Sequence, residues 1–215
     1  MSSNYQFSTN TIKLQKIDPE NGEMLGVSII QIGEAIGHEL YIDSKSLDSI
    51  LSSIEGTKLP AYITHSGAMV EDRLTREVGY FENFERKDDK ILADFIAFNS
   101  FKQDDSKTYN RLFELAEKTP NNFGLSIVFS GSQVWATEEG DVEGFEEPEN
   151  ALYEHPSIRV HEVSSADFVD SPASNTTGLF NNKPNHNSMG KQTQLNEEAI
   201  EDSETLSEDK LVTIT

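Results

Sequence analysis

The sequence has no cysteine among its 215 residues. Disulfide scaffolds, cysteine-ligated zinc, iron–sulfur clusters and thiol nucleophiles are thereby excluded. Covalent catalysis would have to use serine, threonine, lysine or a carboxylate. Basic residues are also scarce. Seventeen Lys and Arg face 38 Asp and Glu, a net charge of -21. A generic nucleic-acid binder needs a basic face for phosphates, and anionic lipid attracts the same groups, so neither partner is expected. Long apolar runs are missing, and none approaches the roughly 18 residues of a membrane span. The N-terminal MSSNYQFSTN lacks the basic and apolar regions of a signal peptide. The histidines His38, His65, His155, His161 and His186 show no HExxH spacing, so no metal and no cofactor is expected.

What is present divides in two. Residues 1–180 carry a net charge of -17 and all the aromatic residues, the last being Phe180. Residues 181–215 carry -4 and are rich in Asn, Gln, Ser and Glu. The first part is read as a folded domain. The second is read as a disordered acidic tail or scaffold-like extension, because it offers too little apolar surface to offset the entropy of ordering.

Within residues 1–180 strand-like stretches dominate. They are Leu25–Ile32, Leu59–Thr64, Glu77–Glu85, Ile91–Phe98, Phe123–Phe129 and Ile158–Val169. ERKDDK reads as the turn of a hairpin joining the third and fourth. Two helices interrupt them. One opens at Asp43 and repeats Leu47, Ile50, Leu51 and Ile54 at helical spacing before Gly56. The other spans about Ser106 to Lys118. Residues 138–149 hold seven acids in twelve positions and read as a solvated loop, since DVEGFEEPEN lacks the order of a calcium loop. The fold class is mainly β with helices (α+β), mostly antiparallel.

Three residues have the types of a serine-hydrolase triad. His65 ends an apolar strand before Ser66-Gly67, Ser126 lies within Phe123–Phe129, and Glu162 sits mid-strand beside Arg159 and His161. Each alone is first read as structural. Val128 also excludes the G-x-S-x-G elbow of an α/β-hydrolase. Together they supply nucleophile, base and orienting acid on strands, which are rigid supports.

The order of several short motifs then matters. Gly37-His38-Glu39-Leu40-Tyr41-Ile42-Asp43 is followed by Tyr62-Ile63-Thr64-His65, then Val78-Gly79-Tyr80-Phe81, then Gly124-Leu125-Ser126-Ile127. The series closes with His161-Glu162-Val163-Ser164-Ser165-Ala166-Asp167-Phe168-Val169 and Asp170-Ser171-Pro172-Ala173. From about Gly26 to Ala173 the chain resembles the phage prohead (capsid maturation) serine proteases, relatives of herpesvirus assemblin. The resemblance implies a small antiparallel β-barrel flanked by helices. It implies His65 as general base, Ser126 as nucleophile and Glu162 as third member, with His161 as fallback. It implies cleavage of phage scaffold protein and major capsid protein, and of the chain itself, by a homo-oligomer inside the procapsid in the host cytoplasm. One departure is plain: SSADFVDSPAS has no arginine where assemblins carry those of the oxyanion site, leaving backbone N–H groups or Arg73 and Arg76. A non-catalytic scaffold or core protein with the same fold is the leading alternative, and an unrelated β-barrel binding module a more distant one. Met189 also offers an internal start for a separate scaffold product.

Overall fold

The computed structural model describes residues 16–63, 77–144, 146–170, 172–175 and 178–180. Ten strands and three helices follow in the order β1 (Lys16–Asp18), β2 (Glu23–Gln31), β3 (Gly33–Ala35), β4 (Leu40–Ile42), α1 (Ser44–Ile54), β5 (Leu59–Ile63), β6 (Glu77–Lys87), β7 (Lys90–Ala97), α2 (Asn99–Asp104), α3 (Ser106–Lys118), β8 (Gly124–Thr137), β9 (Gly140–Val142) and β10 (Ser157–Val169).

Local chemistry explains the helices. Asp43 caps α1: its carboxylate accepts the Ser46 N–H at 2.7 Å, and Ser46 Oγ accepts the Asp43 N–H at 3.3 Å. This reciprocal box satisfies two donors that a helix start leaves open. Leu47, Ile50 and Ile54 then fall on one buried face. Asp105 caps α3 through the Thr108 N–H, and Tyr109, Leu112, Phe113 and Ala116 are its buried stripe. β6 and β7 form the expected hairpin, with Asp88 of the turn at φ 54°. Short polar residues tolerate that left-handed geometry better than most.

The strand order is β1-β2-β7-β6-β5-β10-β4-β3, with β8 paired to β10 and β9 paired to β8. β10 is the organising strand. It runs antiparallel to β8 over eleven register positions and parallel to β5 at one end and β4 at the other. The core lies under its C-terminal half. There Phe168 meets Phe95 at 4.9 Å between ring centroids, Phe81 at 5.8 Å and Phe123 at 6.4 Å. Burying such aromatics is the main favourable term for this face.

The sheet is not closed into a barrel, which corrects the sequence expectation. Closure would require β2 to pair with β8. Instead the chain after β10 takes the edge of β2: the Ser28 N–H donates to the Leu179 carbonyl and the Gln31 N–H to the Ser174 carbonyl. The same segment reaches the start of β8, where the Leu179 N–H donates to the Pro120 carbonyl. Gly178 sits there at φ 87°, and a Cβ on it would stand 2.5 Å from Asn121 Cα. Residues 172–175 and 178–180 thus form a strap laid in the gap. Leu179 and Phe180 are buried, while 181–215, the expected tail, lies outside the described residues.

An ion network ties the far end of β10. Arg159 donates through Nη1 and Nη2 to both carboxylate oxygens of Asp43, at 2.9 and 2.8 Å. Through Nε and Nη2 it donates to Asp141 of β9, at 2.7 and 2.9 Å, and Lys45 joins Asp141 at 3.0 Å. The acidic stretch 138–149 is therefore pinned at Asp141 rather than wholly solvated. The hydrogen bonds from Arg159, helped by Lys45, hold the Asp141 carboxyl down at about 2.

Two outcomes follow from this packing. Phe168→Ala removes a buried aromatic from a cluster of rings, so denaturant unfolding should show a loss of about 3–5 kcal/mol. Asp141 has a folded pKa of about 2 against an ordinary value of 3.8. A depressed carboxyl contributes stability above its unfolded pKa and loses it as pH falls through the folded one. Wild type should therefore be more stable than Asp141→Asn near neutrality, and the gap should close as pH falls from about 4 to about 2, read by urea melts across that range.

Candidate active site

Register places the candidate residues. In a sheet, directly opposed residues share a face and successive residues alternate. Leu125 lies opposite Phe168, which pairs with Ile63 on its other side, and this row faces the core. One step along, Ser126 lies opposite Asp167, which pairs with Tyr62. This second row is on the reverse face. Three adjacent strands thus carry Ser126, Asp167 and Tyr62 side by side, with the aspartate in the middle. Asp167 is buried, at 8% exposure, and Ser126 and Tyr62 are half-buried. A hydroxyl next to a buried carboxylate on rigid strands is an arrangement that can orient and activate a base held between them.

His65 lies outside the described residues, as do Arg73 and Arg76. The described part of β5 ends at Ile63, one residue past Tyr62, and His65 is the second residue after Ile63 in the sequence. Two residues of chain span at most about 7 Å.

Glu162 is not brought to Ser126. It is exposed and lies opposite Ser130, past a register shift between Val163 and Ser165. Four residues of β8 separate Ser130 from Ser126, about 13 Å at strand rise. The physical reason is distance along the strand: Ser126 lies opposite Asp167, and Glu162 is five residues away from Asp167 on β10. His161, the fallback, is also exposed, and its Nε2 stands 3.3 Å from Ser132 Oγ. That Ser–His contact is about 20 Å along β8 from Ser126 and has no carboxylate opposite it in the register. The acid that the fold does set against Ser126 is Asp167. The sequence signal for it was the parity of β10: Phe168 had to face the core, so Asp167 had to face the other way.

The outer edge of β8 is also relevant. Over residues 124–133 no other described strand pairs with it. Among the described residues no group of three or more His, Asp or Glu could hold a metal ion. No described helix is long and apolar enough to cross a membrane. No protein-family model, no curated protein and no solved structure matches this chain.

Proposed function

We propose that the chain is a serine endopeptidase that cleaves scaffold and capsid proteins, and itself, during maturation of a phage procapsid. The observation that carries this reading is the row Ser126–Asp167–Tyr62 at the end of the strand that leads to His65. The order of motifs shared with prohead proteases supports it, and so does the run Ala166–Ala173.

In the proposed mechanism Ser126 Oγ attacks the scissile carbonyl carbon while His65 takes the hydroxyl proton. His65 then gives that proton to the leaving amine, and the acyl-enzyme forms. Water, deprotonated by His65, attacks the ester and releases Ser126. Asp167, rather than Glu162, positions the imidazole and stabilises its charged form. The open edge of β8 suits an extended peptide, which would add to the sheet beside Ser126 through backbone hydrogen bonds. Backbone N–H groups serve the oxyanion. The acidic surface keeps the chain soluble at the high concentration inside a shell and repels the genome until packaging.

A fluorophosphonate probe should label the purified chain at Ser126, and Ser126→Ala should abolish both labelling and scaffold cleavage without changing the melting temperature. A folded chain that never labels, alone or with scaffold, would favour the non-catalytic scaffold reading. Asp167→Asn should lower the cleavage rate by about 10²–10⁴-fold and shift its pH profile, as loss of an orienting acid does. Glu162→Gln should leave rate and profile unchanged. The reverse pattern would return the role to Glu162.

A further inference from the structure

A cavity of about 470 Å³ opens beside the proposed site, lined by Ile36, Phe123, Asp170, Pro172, Ala173 and Gly178 among others. Phe123 lies just before β8, three residues before Ser126, and Asp170 just after β10, three residues after Asp167. The cavity therefore sits about 10 Å from the Ser126–Asp167 pair, the length of three residues of extended peptide. Its walls are apolar: Phe123 is buried, and Ile36 is 61% exposed, a large aliphatic face left open to solvent. Its lining also includes the polar residues Asp170, Asn121 and Asn122. Exposed apolar surface within a concave site is characteristic of a ligand pocket.

The chain itself supplies a matching occupant. Gly178 is a wall residue, so the segment that begins at residue 181 starts three positions beyond the cavity. Residues 181–196 contain Lys183 and Lys191 and no acid, in a chain whose net charge is -21. Their two long apolar side chains are Met189 and Leu195, which flank Lys191. Beyond them, residues 197–209 hold seven acids, which Asp170 would repel. Nine to fifteen residues reach about 30–50 Å when extended, ample to return to the cavity wall.

We infer that this cavity is a substrate subsite for an aliphatic side chain, and that its occupant in this chain is Met189 or Leu195 of the 181–196 segment, with Lys191 toward Asp170. The inference rests on the endopeptidase reading and specifies its substrate: an extended, acid-free peptide with an aliphatic residue about three positions from the bond cut. Self-cleavage would then fall within about three residues of Met189 or Leu195.

Two measurements on the full chain test it separately from the catalytic reading. In the Ser126→Ala chain, which cannot cleave, methyl NMR signals of Ile36 and Ala173 should shift when Met189 and Leu195 are both changed to Asp, and stay put for Leu206→Asp. Unchanged Ile36 and Ala173 signals in the double variant would overturn the inference whatever the catalytic outcome. In the chain with Ser126 intact, mass spectrometry should find the new C-terminus within residues 186–198. Ile36→Asp, an exposed substitution, should slow that truncation at least tenfold with melting unchanged. Truncation confined to 199–215, or unaffected by Ile36→Asp, would overturn it. A chain that labels at Ser126 yet fails these tests retains the catalytic reading and loses the subsite.

Discussion

The pairing of β10 with β8 is the constraint on which the rest depends. Eleven register positions join the two strands, and β10 also holds β5 and β4 on its other side. Its C-terminal half sends Phe168 into the aromatic core and Asp167 to the opposite face. Its N-terminal half sends Arg159 to Asp43 and Asp141, which fixes the start of α1 and the β9 ribbon. A one-residue slip would exchange every one of these faces, so core packing and the ion network both oppose it. The position of Asp167 opposite Ser126 inherits that double insurance.

Local chemistry made much of the fold legible. The Asp43 cap, the Leu47–Ile50–Ile54 spacing and the Asp88 turn are decided by near neighbours, and both α1 and α3 formed where their periodicity lay. The second half of β8 was not legible. SGSQVWAT is polar and contains glycine, and it is extended because β10 pairs with it to Val134 and β9 with Trp135–Thr137. β1, β3, β4 and β9 are each three residues long, too short for a periodic signal. The open sheet was not legible either, because closure turned on a competition for the edge of β2 that the strap wins with two hydrogen bonds.

The candidate site shows the same division. Ser126 could be singled out from its own surroundings, an isolated hydroxyl in an apolar run. The face of its acidic neighbour followed from the parity of β10, but its place opposite Ser126 did not, because the register of two strands separated by β9 depends on loop length and on bulges far from the residue concerned. Glu162 looked central by its place in the sequence, but the register sets it opposite Ser130, four residues of β8 away from Ser126. The charge was more informative in its distribution than in its sum. Asp43 and Asp141 are structural because one guanidinium serves both, and residues 171–196 form a run of 26 positions without an acid.

The strap gives the chain a built-in stop line for proteolysis. Its hydrogen bonds at Ser174 and Leu179, and the buried rings and methyls of Leu179 and Phe180, all lie before residue 181. Trimming beyond that point leaves the edge of β2 covered. Trimming before it strips the covering from that edge, whose unpaired amides invite other strands and aggregation. Under the endopeptidase proposal, the fold would divide the chain into a part it can shed and a part it must keep.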